Sequence, residues 1–377
     1  MEREDRHHRQ EQAVPDRHSS VFISKVCRIT THFADQNAGV ADIGLPSVAV
    51  MLPVLNESAN IDACLASLAA QDYPGSIDVL VADGGSTDDT LERLASWSER
   101  LPRLRIFENP DRAQSAGLNL LAEVAHAEIL IRADAHTRYA PDYVSRSVAA
   151  LEESGAAAVG GPMVPEGTTP LGRAVAAAFR SPLAIGTARF HHATEPTEAD
   201  TVYLGAMRKT TWESIGGMRT LPSLVAEDAD WYYRLRKAGG RVLIDPAIRS
   251  TYQPRQDLAG LWRQFYRYGV GKADMLYING EFPSWRPLAP LALILGLGAG
   301  VFGAVFGRPG LLIGGLAAWL AVVLVASRLR PLVLTATAVM QLAYGLGLLR
   351  GLLRRPTTVR AQLVVRRNTL DPEGDAE

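Results

Sequence analysis

Cysteine is almost missing from this chain. Two thiols, Cys27 and Cys64, stand among 377 residues. Neither lies in a Cys-x-x-Cys pair or in a cluster with metal-ligand spacing. This excludes a disulfide framework and a structural zinc site, and it fits a reducing compartment. An excess of one charge is missing too. The formal net charge is -1, so no overall basic field draws the chain to a polynucleotide, and nucleic acid is not an expected partner. The first residues hold no apolar core followed by a cleavage site, so no secretory signal is expected. The loop after the first apolar run, PVLNE, lacks the Gly-rich, basic character of a nucleotidyltransferase loop. In the last third of the chain, three long runs lack charge altogether. Residues 287–307, 309–327 and 331–349 contain no Asp, Glu, Lys or Arg. Each run is about the 20 residues that cross a hydrocarbon core as helix. Their small residues suit helix packing in lipid, and a soluble bundle would need the polar face they lack.

What is present falls into four parts. Residues 1–45 mix charge, histidine (His7 and His8 among them) and polar residues without a period, which predicts a disordered extension. Over 46–285 short apolar runs alternate with amphipathic ones. Strands are expected at 48–54, 77–83, 104–109 and 128–134, with helices at 61–70, 90–98 and 114–125. A further helix is expected at 231–237. Such alternation predicts an α/β domain with a mainly parallel sheet covered on both faces. Ligands gather at the C-terminal strand ends of such sheets, which brings Asn56, Glu57, Asp83, Asn109 and Asp134 into view. Residues 286–350 read as two to three transmembrane helices, and 351–377 as a basic tail. Arg350, Arg354, Arg355, Arg360, Arg366 and Arg367 crowd beside the apolar runs, which points to a membrane surface. Both the α/β domain and this tail favour the cytoplasmic side. Three full spans would separate them, so the number of spans stays open.

Five motifs follow one another over about 220 residues: PVLNE from Pro53, ADGGSTDDT from Ala82, RADAH from Arg132, AEDADWYYRL from Ala226, and QFYRY from Gln264. Each alone is weak, but their order and spacing are specific. In them the chain resembles glycosyltransferase family 2, the inverting enzymes with a GT-A (Rossmann-like) nucleotide-sugar-binding fold. Within that family it looks most like the membrane enzymes of succinoglycan-type exopolysaccharide synthesis. The resemblance covers residues 47–268.

The resemblance implies roles that the residue chemistry can carry. Asp83 ends a strand, where its carboxylate can accept the ring N–H of a uracil-like base; a turn-capping role fits it as well. Pro53, Asn56 and Glu57 line the ribose side, although NES before a helix is also an ordinary start signal. Arg112, in the loop NPDRAQ, can meet a donor phosphate by a forked contact or remain solvated. Asp134 and His136 stand where the family has its Asp-x-Asp metal motif. Aspartate is a hard ligand for Mg²⁺ or Mn²⁺, while the imidazole in place of the second acid suits Mn²⁺ better. Direct ligation by His136 and a hydrogen-bonding role both remain open. By family position Asp228 is the general base and Glu227 its tuning neighbour, two acids that would also suit a helix N-terminus. Gln264 and Arg267 match the family's Gln-x-x-Arg-Trp motif with Tyr268 in place of Trp. There Arg267 would stabilise the leaving diphosphate and Gln264 would hold the acceptor.

The implied activity is transfer of a sugar from a nucleotide-diphospho-sugar, a UDP-sugar favoured, to a polyprenyl-diphosphate-linked glycan. The expected setting is the bacterial inner membrane, multi-pass, with the catalytic domain cytoplasmic. A processive polysaccharide synthase is the alternative, although those usually carry spans ahead of the catalytic domain. Transfer directly to polyprenyl phosphate is another. A non-catalytic scaffold would be expected to have lost the acid pair that is present here.

Overall fold

The computed structural model describes residues 44–186, 188–282 and 285–354. The expected extension up to residue 43, with His7, His8 and Cys27, lies outside the described residues. So does the tail from Arg355, with Arg360, Arg366 and Arg367.

A run such as VAVMLPV has no polar side to offer to water, and it forms a strand buried on both faces. This is β1 (Val48–Val54). It pairs in parallel with β2 (Ile77–Asp83) on one side and β4 (Ile129–Arg132) on the other, and β3 (Leu104–Glu108) joins β2 in parallel. Alternation along β1 divides the core. Val48, Val50 and Leu52 face the cluster that holds Ile61, Cys64 and Leu65 of α1 (Ile61–Ala69). Ala49 and Met51 face the cluster of Leu118 and Leu121 from α3 (Gln114–Val124). Between these two helices in the chain lies α2 (Thr90–Trp97).

Beyond β4 the sheet departs from the expected pattern. It continues through β9 (Tyr203–Arg208), antiparallel to both β4 and β6 (Ala158–Gly161). The full order is β3-β2-β1-β4-β9-β6-β10-β8, with β8 at Thr197–Glu198 and β10 at Val242–Ile244. A short apolar run reads the same in either direction, so the sequence carries no sign of this reversal. A second, three-stranded sheet joins β5 (Thr137–Tyr139), β11 (Ser250–Tyr252) and β7 (Met163–Pro165). It stands directly after Asp134 and His136. α4 (Tyr143–Ser154) covers the first core. α5 (Pro170–Phe179), α6 (Pro182–Ile185) and α7 (Lys209–Ser214) fill the second half.

Two boundaries differ from expectation for identifiable reasons. β4 ends at Arg132 rather than residue 134, because the Asp134 N–H donates to the Tyr139 hydroxyl at 2.8 Å instead of to a ladder partner. α8 spans Glu227–Lys237 and begins four residues earlier than expected. Three acids in its first turn, Glu227, Asp228 and Asp230, suit the positive end of the helix dipole. The acid pair therefore sits inside the helix rather than before it.

The motif QFYRY lies on α9 (Leu258–Asn279), capped by the Asp257 carboxylate, which accepts from the Gly260 N–H at 2.7 Å. Three apolar helices follow: α10 (Leu288–Val305), α11 (Pro309–Ser327) and α12 (Pro331–Leu352). All three are long and apolar enough to cross a membrane. α12 is also part of the catalytic half's core. Its Val333, Ala336, Met340 and Ala343 cluster with Leu261 and Phe265 of α9 and with Val175 and Phe179 of α5. The contact is backbone-close. A Cβ on Gly269 would stand 2.2 Å from the Tyr344 carbonyl oxygen, and one on Gly347 2.0 Å from that of Tyr266. A chain ending near residue 282 keeps every motif but exposes this core face.

These glycines give a direct test. G269L or G347L must push the two helices apart, an overpacking cost of roughly 1–3 kcal/mol. The melting temperature in detergent should fall for both. It should hold for G298A, where an added Cβ meets nothing within 4 Å.

Candidate active site

Backbone strain marks the loops that converge at the strand ends. Asn56, Arg112, Leu204, Leu224 and Ala226 all adopt positive φ without being glycine. Such conformations cost about 1–3 kcal/mol each and gather where surrounding structure fixes a functional geometry. Asn56 joins two loops: its N–H donates to Ser86 Oγ at 2.9 Å, and its side-chain oxygen accepts the Thr87 N–H at 2.8 Å. Asp83 holds the same turn from beneath. Its carboxylate accepts the N–H of Gly85 (3.0 Å) and the hydroxyl of Ser86 (2.6 Å). Both residues thus show the turn chemistry that the sequence left open. Gly84 between them faces the cleft.

On the cavity wall stand Pro53, Glu57, Arg112, Asp134 and His136. Asp134 is buried, and its Oδ1 accepts from Gln114 Nε2 at 3.1 Å. The His136 ring lies with Nδ1 3.6 Å from Glu57 Oε1 and packs edge-on to Tyr252. Burial pushes the His136 imidazole down, but Glu57 and Asp134 outweigh it and hold it above its ordinary value. Burial likewise pushes Glu57 up, and His136 and Asn60 more than reverse that. Among the described residues no three His, Cys, Asp or Glu side chains form a cluster able to hold a metal. Asp134 and His136 fit a divalent cation only if a ligand supplies further oxygens, as a diphosphate does.

Across the cleft, Asp228 faces the cavity, while Glu227 is turned into the protein and is only 6% exposed. The loop that delivers them rests on α9. The Ser223 N–H donates to Asp274 Oδ2 at 2.9 Å, and Gly271 gives room for Val225 and Ala226. Within α8, Asp230 is fully buried against Arg234 Nε at 2.9 Å, and Arg234 reaches the Gly217 carbonyl at 2.7 Å. Asn119 of α3 grips Met218 by two bonds of 2.8 Å. The Gly-Gly turn and the acid pair are therefore braced from both sides. Gln264 donates to Tyr252 Oη (3.2 Å) and Tyr268 Oη (3.0 Å). Arg267 is exposed, touches the carbonyls of Ser223 and Leu224 at 3.5 Å, and lines the cavity.

The residue that the sequence reading passed over is Arg132. It is buried at the end of β4, with NH1 3.2 Å from Asp228 Oδ2 and NH2 3.7 Å from Asp134 Oδ1. Its one available signal was a cation closing an otherwise apolar strand, ILIR. Burial alone pushes the Asp228 carboxyl up, but Arg132 and then Lys272 outweigh it and hold it below the usual carboxylate range. Glu227 moves the other way: burial and the Asp228 charge push it up to about 7.

Of the expected site residues, Pro53, Glu57, Arg112, Asp134, His136, Asp228, Gln264 and Arg267 line one cavity. Asn56, Asp83 and Glu227 do not line it: Asn56 is exposed, while Asp83 and Glu227 are buried. A raised carboxyl pKa stabilises the fold below the unfolded value of about 4.3, and that contribution is lost as pH rises through the folded value. E227Q fixes the neutral form. Its stability relative to the native chain should therefore improve between about pH 5 and pH 8, by on the order of 2 kcal/mol. An offset independent of pH in detergent unfolding would remove Glu227 from this state.

Comparison with known proteins agrees with this geometry. The family model for glycosyl transferase family 2 matches residues 49–207, and that for glycosyl transferase family group 2 matches residues 129–348. The succinoglycan biosynthesis protein ExoA of Rhizobium meliloti is 34% identical over 246 residues, covering 65% of this chain and 74% of the relative. A dolichyl N-acetyl-α-D-glucosaminyl phosphate diacetamido-dideoxy-glucuronosyltransferase of Methanococcus voltae is 24% identical over 61% of this chain and 74% of its own length. Among solved structures, the mannosyltransferase PcManGT of Pyrobaculum calidifontis, in complex with GDP-Man and Mn²⁺, superposes with a TM-score of 0.59. It is 21% identical and covers 89% of this chain and 96% of that one, a likeness of fold. With its motifs in family order on a GT-A sheet, this chain is a glycosyltransferase of family 2.

Proposed function

We propose that this enzyme performs inverting transfer of a sugar from a nucleotide-diphospho-sugar, UDP-linked by preference, to a polyprenyl-diphosphate-linked glycan. The setting is exopolysaccharide or cell-surface polysaccharide synthesis at the bacterial inner membrane. The observation that carries the reading is Asp228: it faces the cavity while Arg132 holds its carboxylate ionised. The printed names of the relatives support the substrate class, since one belongs to succinoglycan biosynthesis and another acts on a dolichyl-linked sugar phosphate. The apolar helices α10–α12 support the membrane setting, with the catalytic domain on the cytoplasmic side where nucleotide-sugars are made.

In this reading the acceptor hydroxyl oxygen attacks the anomeric carbon from the side opposite the diphosphate. Asp228 takes the hydroxyl proton as that bond forms. The bond from the anomeric carbon to the diphosphate oxygen breaks, and the nucleoside diphosphate leaves with the electron pair. Arg112 and Arg267 balance the growing charge on it. Glu227, pushed towards its neutral form by burial and the Asp228 charge, lessens the repulsion beside Asp228. Asp83 and Asn56 shape the turn that receives the base and ribose, with Pro53 and Glu57 beside it. Gln264 positions the acceptor. Asp134 and His136 would hold a divalent cation, Mg²⁺ or Mn²⁺, which when bound offsets the diphosphate charge.

D228N keeps the size of the side chain and removes the proton acceptor. Transfer should fall by about 10²-fold or more while donor affinity barely changes; turnover near that of the native chain would take the base role away from Asp228. D134A should abolish the cation-dependent part of donor binding, followed by titration calorimetry with nucleoside diphosphate and Mn²⁺. H136D should keep activity and shift preference towards Mg²⁺. Full transfer in excess chelator would refute the cation argument.

A further inference from the structure

The cavity is larger than the donor requires. It measures 1530 Å³, whereas a small-molecule site is typically about 300–1,000 Å³. The excess includes a limb lined by the apolar helices. There the lining turns apolar and passes between the membrane helices, along Leu293 and Gly296 of α10, Gly315 and Trp319 of α11, and Met340 of α12. This limb is continuous with the catalytic half because one polar side chain ties them. Gln341 of α12 accepts from Trp319 Nε1 at 2.8 Å and donates to the Leu183 carbonyl of α6 at 2.9 Å. Gly296 and Gly315 are exposed, and a Cβ added at either meets nothing within 4 Å. The limb therefore has free space and an opening towards the surroundings of the helices.

Charge changes where the apolar limb meets the catalytic cleft. Asp200 is shared by two arginines, Arg286 at 2.8 Å and Arg236 at 3.4 Å. Lys272 lines the same part of the cavity, and the contact found for its ammonium is the Met275 sulfur at 3.5 Å. Two cations thus share one acid, Asp200, and a third, Lys272, lines the cavity near Asp228. This is an excess of positive charge at the junction of an apolar slot and a catalytic carboxylate. A ligand matching it has a long apolar tail, then an anionic group, then a hydroxyl-bearing part.

We propose that the limb between α10, α11 and α12 is the tail slot of the lipid acceptor, with Arg236, Arg286 and Lys272 receiving its diphosphate. The proposal rests on the lipid-linked acceptor reading above. It adds that the acceptor is bound by its lipid as well as by its glycan, and that it enters sideways from the bilayer. Asp200 holds the two arginines at the junction until the diphosphate arrives.

The test uses the full chain in nanodiscs and two acceptors with the same glycan diphosphate, one on a long polyprenyl tail and one on a two-isoprene tail. The native chain should show a KM at least tenfold lower for the long-tailed acceptor. G315W and G296W fill the slot from opposite helices, so one can stand in for the other if either fails to fold, as judged by donor binding. Each folded variant should raise KM for the long-tailed acceptor about tenfold, and leave donor affinity and short-tailed turnover as they were. R286Q should raise KM for both acceptors. Equal KM values for the two acceptors in the native chain would overturn the slot and leave the proposed function standing. A filled-slot variant that loses thermal stability but keeps the long-to-short preference would mean that a structural phospholipid occupies the space. Absence of transfer to either acceptor by the native chain would instead refute the lipid-linked reading on which the proposal depends.

Discussion

A single buried guanidinium sets the terms for this site. Arg132 reaches Asp134 with one nitrogen and Asp228 with another. These two carboxylates come from distant segments, one just past a strand end and one in the first turn of a helix. A buried cation without them would carry an uncompensated desolvation cost of several kcal/mol. The ion triad therefore ties these two segments together, and it couples their electrostatics. A change of charge near Asp134 is felt at Asp228 through one shared partner.

The triad also explains the division of labour within the acid pair. Adjacent carboxylates cannot both ionise cheaply, and the one beside the cation wins. Asp228 keeps its charge, and for the buried Glu227 burial and the Asp228 charge outweigh the pull of Arg132 and push its carboxyl up to about 7. The strained loops serve the same end. Leu224 and Ala226 hold left-handed backbone just ahead of the pair, and Asp274 and Gly271 of α9 keep that loop seated.

Much of this was legible before any coordinates. Continuous apolar runs such as VAVMLPV and IDVLVAD declare buried strands, and the motif order declares the family. Of the expected residues, Pro53, Glu57, Asp134 and His136 near strand ends, Arg112 in a loop, and Asp228, Gln264 and Arg267 on helices face the cavity. What stayed hidden depends on contacts between distant segments. The reversed strand β9 looks like any short apolar run. Arg132 is one letter in a motif whose named letters were Asp134 and His136, and its partner Asp228 lies 96 residues away. Asp83 and Asn56 offered both a turn role and a ligand role, and sequence alone does not say which surface a short side chain meets. The sharing of a core between α9 and α12 is likewise invisible, because Gly269 and Gly347 look like ordinary small residues in apolar helices.

That close seam has a mechanical meaning. Two helices whose backbones touch cannot tilt separately. In a bilayer, an apolar helix answers a change in hydrocarbon thickness by leaning. Any lean of α12 is transmitted to α9, which carries Gln264 and Arg267 and supports the loop ahead of Asp228. In the proposed membrane setting, the face that carries Gln264 and Arg267 is thus geared to bilayer thickness: lipid composition becomes an input to the spacing of these groups in the cavity.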